Sequence, residues 1–263
     1  MSSAIAIIPA RMGSSRFPGK PLAPLAGIPM IGHVWKRVCL ALGPERTFVA
    51  TCDQVIADYV AVIGGRAVMT ADTHERCSDR CAEAMLAIEQ GLGKSDLVVM
   101  VQGDEPLVTP QMISEAVAPF ASDPGLQVVN LMAPLLSRAE QDVPNEVKVV
   151  VDLADNALYF SREPIPSWKK GAKDLAMFKQ VCIIPFRRDF LLKFNALEPT
   201  PLEVAESVDM LRVLEHGLTV RMVRTAARTV SVDTPQDLAA AEALMLGDPL
   251  FAAYRGELAG AGA

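Results

Sequence analysis

The length, composition and charge of the chain exclude several classes of protein. At 263 residues it can form one large domain with a sizeable core, and its net charge of −6 argues against nucleic acid as the main partner. No stretch of about eighteen apolar residues lacks charges, so we expect no membrane span. The first three residues leave no room for a signal peptide, and we expect a cytoplasmic protein.

The first half of the chain alternates strand and helix patterns. The predicted strands are 5–8, 46–51, 66–70 and 97–101, and the predicted helices are 30–42, 55–63 and 79–90. This alternation predicts an α/β fold with a doubly wound, mostly parallel sheet. Polar loops at 11–20, 71–78 and 102–106 follow strands, so we expect them to converge at one sheet edge. Asp53 is expected to cap the helix that follows it.

The second half of the chain has a different pattern, which predicts a smaller antiparallel insertion lobe near 127–200. Its predicted strands are 127–136, 147–152, 178–186 and 219–223, and its predicted helices are 188–195, 201–216 and 235–246. Asp155-Asn156 marks a hairpin turn. We expect residues 1–246 to form a single domain, in which the lobe serves as a lid or in dimerisation. Residues 247–263 are predicted to be a frayed tail.

The loop from Pro9 to Lys20 has the composition of a polyphosphate-binding site. It follows a buried strand at once and contains small residues, two arginines and a lysine. Small residues let backbone N–H groups approach phosphate oxygens, and the cations neutralise their charge. The spacing matches neither a P-loop nor a dinucleotide-binding fingerprint. The alternative is a basic surface loop with no ligand.

Asp104 is the main candidate metal ligand. It lies just past a buried central strand, where a carboxylate can hold Mg²⁺ together with phosphate oxygens. Asp233, also at a strand end, is the candidate second carboxylate, although Asp-Thr-Pro starts many helices. The alternative for Asp104 is a helix cap. The five cysteines show no zinc-ligand spacing and are expected to be reduced, and His33 is expected to be a core histidine.

Several motifs resemble, in order, those of one enzyme family. They are PARMGSSRFPGKPL at 9–22, His74 followed by Asp79-Arg80, VQGDEP at 101–106, NEVKVV at 145–150, ALYFSR at 157–162, PLE at 201–203, LRVLEHG at 211–217 and VDTPQDL at 232–238. The chain thereby resembles the 3-deoxy-manno-octulosonate (KDO) cytidylyltransferases, which attach CMP to a sugar acid for lipopolysaccharide. The resemblance implies a nucleotide-diphospho-sugar transferase-like fold, a homodimer, CTP, a small acidic acceptor and Mg²⁺.

The resemblance also implies roles for individual residues. The catalytic set would be Arg11, Lys20 and Asp104, and Asp104 and Asp233 would hold the metal. The nucleotide-binding set would be Pro9, Ala10, Arg11, Gly13, Ser14, Lys20, His74 and Arg80. The acceptor-binding set would be Gln102, Arg162, Lys179, Gln180 and Glu203. The implied reaction is in-line attack of an acceptor oxygen on the α-phosphorus, with release of pyrophosphate and no covalent enzyme intermediate.

Three departures from the family pattern leave the acceptor open. The 74–78 loop carries Arg76 for Ser and Cys77 for Gly, and it borders the nucleotide base in the family. The added Cβ at 77 is expected to crowd passing backbone. Gln180 and Ile184 replace a His and a Tyr, and Met210 replaces a Gln.

Each lost polar partner can cost about 1–3 kcal/mol of discrimination. The acceptor could therefore be KDO, an amino-substituted or other nonulosonic acid, or a small phosphonate such as phosphonoformate. A lysine cluster would suit a small, highly charged acid, or it solvates a loop. It consists of Lys169, Lys170, Lys173 and Lys179. Another base in place of cytosine, and a non-catalytic nucleotide-binding paralogue, are further alternatives.

Overall fold

The computed structural model describes residues 4–14, 16–167 and 175–259. The strands are β1 (Ala4–Pro9), β2 (Pro24–Leu25), β3 (Ile28–Pro29), β4 (Thr47–Thr51), β5 (Arg66–Met69), β6 (Leu97–Val101), β7 (Val129–Pro134), β8 (Lys148–Val151), β9 (Ala157–Ser161), β10 (Phe178–Val181), β11 (Ile183–Arg187) and β12 (Arg221–Arg224). Across these ranges each helix falls short of the length and apolarity that a membrane span needs.

The helices lie between these strands and after them. They are α1 (Met30–Leu42), α2 (Gln54–Val62), α3 (Cys77–Leu92), α4 (Pro110–Val117), α5 (Pro119–Ser122), α6 (Arg138–Gln141), α7 (Arg188–Asn195), α8 (Pro201–Glu206), α9 (Met210–Glu215), α10 (Pro235–Leu246) and α11 (Pro249–Ala259). Their arrangement around the sheets confirms the predicted α/β class.

The first sheet is the predicted parallel core of the molecule. Its strand order is β11-β6-β1-β4-β5, in which β6, β1, β4 and β5 run parallel and β11 runs antiparallel at one edge. β1 and β6 are buried along their whole length, as expected for apolar strands with helices on both faces. Their carboxyl ends point to one edge of the sheet, where the predicted loops follow.

The second sheet corresponds to the predicted lobe but has different limits. Its order is β12-β7-β10-β8-β9, antiparallel except for the parallel pair β12–β7. The hairpin of β8 and β9 turns at Asp155 as predicted. The boundary of 127–200 is wrong in two places, because β11 belongs to the first sheet and β12 to the second.

The predicted strand 178–186 is two strands in two sheets. β10 pairs with β7, and after Cys182 the chain enters the first sheet, where β11 pairs with β6. Both halves have the same β-forming composition, so only pairing with distant strands decides where the break falls. At the break, the backbone N–H of Gln102 donates to the Cys182 carbonyl at 3.0 Å.

The predicted helix 201–216 is also interrupted. α8 ends at Ser207, whose φ of 52° is left-handed, and α9 begins at Met210. The Val208 N–H donates to the Glu203 carbonyl at 3.2 Å and closes the turn. Apolar spacing continues through this segment, and the sequence pattern therefore hides the turn. The turn places Ser207–Met210 at the edge of a cavity.

The prediction of a frayed C-terminal tail is wrong for residues 249–259, which form α11. Tyr254 is buried, and its hydroxyl accepts a hydrogen bond from Nε of buried Arg37 at 2.9 Å. The same hydroxyl lies 2.8 Å from Nδ1 of His33, whose Nε2 donates to the Leu25 carbonyl at 2.7 Å. Burial, with the nearby Arg37 charge, lowers the pKa of His33 to about 4, so it is a neutral core histidine as predicted.

Candidate active site

A cavity of about 660 Å³ lies at the carboxyl ends of the first sheet. We call residues 9–20, 102–105 and 231–233 the loop wall, and residues 76–77, 180–184 and 207–210 the far wall. The predicted convergence of the polar loops is confirmed, because residues of all three line the cavity. The predicted site residues in its lining are Pro9, Ala10, Arg11, Gly13, Ser14, Lys20, His74, Arg80, Gln102, Asp104, Arg162, Gln180 and Asp233.

The opening loop is held in shape by backbone hydrogen bonds. The N–H groups of Ser14 and Gly19 both donate to the Met12 carbonyl, at 3.0 and 3.1 Å. Gly19 has a φ of 74°, which favours glycine. Asp53 precedes α2, but its side chain makes no capping bond there. The Asp53 carboxylate accepts instead from the Met12 N–H at 2.8 Å, so the predicted cap is wrong and Asp53 anchors the loop.

Gly103 allows two parts of the loop wall to touch. A Cβ at this position would lie 3.0 Å from the Pro9 carbonyl oxygen and 3.3 Å from the Ile31 side chain. Backbone cannot yield as a flexible side chain does, so only glycine fits here without a shift. The close approach sets Asp104 directly beside the opening loop.

Lys20 joins the two predicted metal carboxylates. Its Nζ donates to Asp104 Oδ2 at 2.8 Å, to Asp233 Oδ1 at 3.2 Å and to the Val232 carbonyl at 2.6 Å. The Lys20 side chain is 12% exposed. Burial alone would lower the pKa of Lys20, but the charges and hydrogen bonds of Asp104 and Asp233 outweigh it and raise this pKa above its ordinary value.

The Asp104–Asp233 pair fits a magnesium ion. Asp104 Oδ1 is buried and has no hydrogen-bond partner among the described residues, so one carboxylate oxygen remains available as a ligand. The described residues hold no cluster of three or more His, Cys, Asp or Glu side chains suited to a metal. Two carboxylates that leave most ligand positions to phosphate and water suit Mg²⁺.

Glu105, the last residue of its loop-wall segment, links that segment to Ser231 and Cys182. Its Oε1 accepts from Ser231 Oγ at 2.5 Å and from the Cys182 N–H at 3.3 Å. The Val232 N–H donates to the Asp104 carbonyl at 2.9 Å, in the same region. Burial and the charge of Asp104 raise the pKa of Glu105 to about 7. Sequence reasoning missed this residue, although it stands within the VQGDEP motif.

His74 and Arg80 lie on the same side of the cavity as the opening loop. His74 Nε2 hydrogen-bonds the Glu83 carboxylate. Arg80 is buried and holds the 70–74 segment through the Thr70 hydroxyl and the Ala71 and His74 carbonyls. Arg11 lies at the rim, with Nη1 3.5 Å from the His74 carbonyl.

The backbone conformation at position 77 does not require glycine. Cys77 is the first residue of α3, where every residue adopts the required conformation, so the helix begins two residues before the predicted start. The predicted crowding of backbone is wrong for the described residues, since the Cys77 side chain lines the cavity. Burial and the charges of Asp104 and Asp209 raise the pKa of the Cys77 thiol to about 12, which leaves it un-ionised and a poor nucleophile.

Arg76 and Asp209 form an ion pair on the far wall that sequence reasoning missed. Arg76 Nη1 also lies 2.8 Å from Glu203 Oε1. Glu203 is fully buried and accepts two 2.7 Å bonds from Arg212. Glu203 does not line the cavity, so its predicted contact with an acceptor is replaced by support of Arg76 from behind. Two carboxylates and two guanidiniums thus alternate in one network.

Two other acceptor candidates are held by structural contacts. Lys179 is buried, and its Nζ donates to Glu146 Oε1 at 2.9 Å and to the Thr229 carbonyl at 3.0 Å. It does not line the cavity. The other members of the predicted lysine cluster, Lys169, Lys170 and Lys173, lie outside the described residues. Arg162 lines the cavity, and its side chain donates to the carbonyls of Pro144, Glu206 and Ser207.

Gln180 and Ile184 both face the cavity, where they replace the family's His and Tyr. Gln180 Nε2 donates to Asn130 Oδ1 at 2.6 Å, which fixes the orientation of the amide. Arg16, quoted in the opening motif but assigned no role, spans the cavity mouth. Its guanidinium reaches Asn145 Oδ1 at 2.7 Å and Asp233 Oδ1 at 3.0 Å.

The fold and the loop wall define a nucleotidyltransferase-like α/β protein. The structure of CMP:2-keto-3-deoxy-manno-octonic acid synthetase complexed with CTP matches it with a TM-score of 0.84 and 40% identity, covering 94% of this chain and 99% of that one. A cytidylyltransferase from Leptospira borgpetersenii, 15% identical with a TM-score of 0.60 and covering 94% of this chain and 88% of that one, shares the fold.

Sequence comparison identifies the family. The cytidylyltransferase profile matches residues 5–224. The 3-deoxy-manno-octulosonate cytidylyltransferase of Geobacter metallireducens is 44% identical over 243 residues, which are 89% of this chain and 94% of that relative. The enzyme of the same name from Syntrophotalea carbinolica is 44% identical over 253 residues, 93% and 99% of the two chains. The chain belongs to the cytidylyltransferase family.

Proposed function

We propose that this chain transfers CMP from CTP to 3-deoxy-manno-octulosonate and releases pyrophosphate. The observation that carries the proposal is the convergence of Lys20, Asp104 and Asp233 beside the opening loop, in a chain 44% identical to enzymes named for this activity. A structure matched at a TM-score of 0.84 was solved with CTP. The phosphonate acceptor and the non-catalytic paralogue have no comparable support.

The loop wall would hold the triphosphate. Arg11 and Lys20 supply positive charge, and the loop's small residues admit phosphate oxygens close to the backbone. Asp104 and Asp233 would hold Mg²⁺, which neutralises phosphate charge and polarises the α-phosphorus when bound. Asp104 Oδ1 is the ligand oxygen that the described residues leave without a partner.

The far wall would hold the sugar acid. Gln180 of the far wall offers donors for a carboxylate and hydroxyls, together with Gln102 and Arg162, which also line the cavity. The side chains of Arg162 and Gln180 are fixed by neighbours, so they would orient the acceptor oxygen for in-line attack on the α-phosphorus. The Cys77 thiol takes no part, because its raised pKa keeps it protonated. A homodimer and a cytoplasmic location stay predictions from the sequence.

A coupled pyrophosphate assay tests the proposal. The purified chain is given MgCl₂ with each of the four nucleoside triphosphates and a panel of acids, namely KDO, an amino-substituted KDO, a nonulosonic acid and phosphonoformate. We expect CTP with KDO to give kcat/KM at least about a hundredfold above the other combinations. Equal or better turnover of another acid would overturn the acceptor assignment, and no pyrophosphate with any pair would overturn the activity.

A further inference from the structure

Lys20 occupies the place between Asp104 and Asp233 that a divalent cation would take. Its Nζ lies 2.8 Å from one carboxylate and 3.2 Å from the other, and the Val232 carbonyl at 2.6 Å completes the set. The Lys20, Asp104 and Asp233 side chains are only 12%, 22% and 17% exposed, so solvent screens this triad weakly. Within the protein alone, the negative charge of the pair is already compensated.

We propose that Lys20 is a built-in placeholder cation, which makes metal binding depend on a bound triphosphate. This inference rests on the proposed function for the identity of the nucleotide. While Lys20 stays between the carboxylates, a metal ion must bind beside a like charge and must compete with Lys20 for Asp104 Oδ2 and Asp233 Oδ1. The metal alone therefore binds poorly.

A triphosphate offers the Lys20 ammonium an alternative partner to the two carboxylates. Lys20 belongs to the opening loop, and a rotation about its flexible side chain carries the ammonium from the carboxylates to a phosphate oxygen. Asp104 then has no cation and Asp233 keeps only Arg16, so the pair takes up the metal. Because coupling between two ligands is reciprocal, the metal must raise the affinity for the triphosphate by the same factor.

Arg11 provides a matched comparison within the same loop. It is also a cation at the cavity, yet its guanidinium donates to the His74 carbonyl and, among the described residues, forms no ion pair with Asp104 or Asp233. Removal of Arg11 takes one positive charge from the loop wall and leaves the Lys20 triad intact. A general electrostatic effect would appear in both variants, whereas a placeholder effect appears only when Lys20 is removed.

The experiment measures metal binding without nucleotide or acceptor. Mn²⁺ is titrated into wild-type protein and into Lys20→Met, Lys20→Gln and Arg11→Met variants, with free Mn²⁺ followed by electron paramagnetic resonance. We expect both Lys20 variants to bind Mn²⁺ at least about tenfold more tightly than wild type, and Arg11→Met to stay within about twofold. The double variant Lys20→Met, Asp104→Asn should lose the gain.

Thermal unfolding gives a second readout for the same variants. Without metal, Lys20→Met leaves Asp104 without its cation and Asp233 with Arg16 alone, so it should melt below wild type, and Mn²⁺ should raise its Tm more than that of wild type. Circular dichroism identifies any variant that does not fold. If Lys20→Met does not fold, the test uses Lys20→Gln alone. Tight binding of Mn²⁺ by wild type without nucleotide, or no gain in folded Lys20 variants, would overturn the proposal.

The outcome is separable from that of the proposed function. If Lys20 variants gain Mn²⁺ affinity but wild type gives no pyrophosphate from CTP and KDO, the placeholder role stands and the assigned reaction fails. If wild type is active and Lys20 variants gain nothing, the reaction stands and the placeholder role fails.

Discussion

The two walls of the cavity differ in how the chain builds them. The loop wall consists of short segments that directly follow β1 and β6, together with 231–233. A backbone bond joins Val232 to Asp104, and the Lys20 side chain joins the opening loop to both segments. The far wall consists of side chains brought together from distant parts of the sequence, such as Arg76 with Asp209 and Gln180 with Asn130. The first is built from strand ends that the sheet topology brings together, and the second from pairs of side chains that are distant in sequence.

This difference shows how the chain separates two tasks. Phosphates are common to every reaction of the proposed type, so the loop wall can keep one backbone design. The acceptor has to be told apart from similar acids, which depends on individual side chains in the far wall. All three departures from the family pattern involve far-wall residues.

The largest effect is expected from Asp104→Asn in the loop wall. Loss of a carboxylate that would hold the metal should lower kcat by about a thousandfold, because charge on the phosphates is no longer compensated. Pyrophosphate release with CTP and KDO measures it. Asp155→Asn is the matched control, since Asp155 lies on the exposed β8–β9 turn and pairs with Arg224. A loss below tenfold in Asp104→Asn would contradict this role.

The free energy of unfolding should fall in acid because of the buried His33. The pKa of His33 is about 4 in the folded chain and about 6.5 when unfolded, so between these values the unfolded state binds more protons. Stability should therefore fall by up to about 3 kcal/mol as the pH drops from 6.5 towards 4. Urea unfolding at several pH values measures it, with His33→Gln as control. An equal pH slope in both proteins would refute the prediction.

In the far wall, Arg76→Ser should change the KM for the acceptor. Glu203 is fully buried and would lose one of its two cations, and Asp209 would lose its ion pair and keep only the Ser78 hydroxyl. We expect the KM for the acceptor to rise about thirtyfold, with the KM for CTP within about threefold. Steady-state kinetics separate the two. Arg224→Ser removes a more exposed ion pair and should change neither; a larger rise in the KM for CTP would assign Arg76 to the nucleotide.

The smallest effect is expected from Tyr254→Phe, which lies outside both walls. The change removes the hydroxyl shared by His33 and Arg37 and should lower the free energy of unfolding by about 1 kcal/mol without changing kcat. Denaturant titration measures it. Tyr59→Phe is the control, because the buried Tyr59 hydroxyl has no hydrogen-bond partner among the described residues. Equal losses in the two variants would refute the interpretation.

Sequence reasoning found the loop wall and single residues of the far wall, but it missed the Arg76–Asp209 pair for a physical reason. Lys20 and Asp104 stand in short motifs right after apolar strands, and parallel topology alone brings strand ends together. Arg76 and Asp209 are 133 positions apart, and no periodicity links them. The break at Cys182 and the turn at Ser207 are likewise set by tertiary pairing.

The C-terminal helix did leave a signal in the sequence. Phe251, Tyr254 and Leu258 recur at helical spacing and are all buried. The many small residues around them made the segment look unstructured. The helical spacing of these large residues, and not the average composition, is the feature that predicts α11.

Two side chains that bind Arg37 come far after it in the sequence. Arg37 is fully buried on α1, and its guanidinium pairs with Asp248 at 2.5 Å and with the Tyr254 hydroxyl, 211 and 217 positions later. During synthesis on the ribosome, α1 emerges long before these partners exist. The nascent chain must therefore keep this guanidinium in water until the segment with Asp248 and Tyr254 has been made, and the core around α1 closes only after α11 has left the exit tunnel.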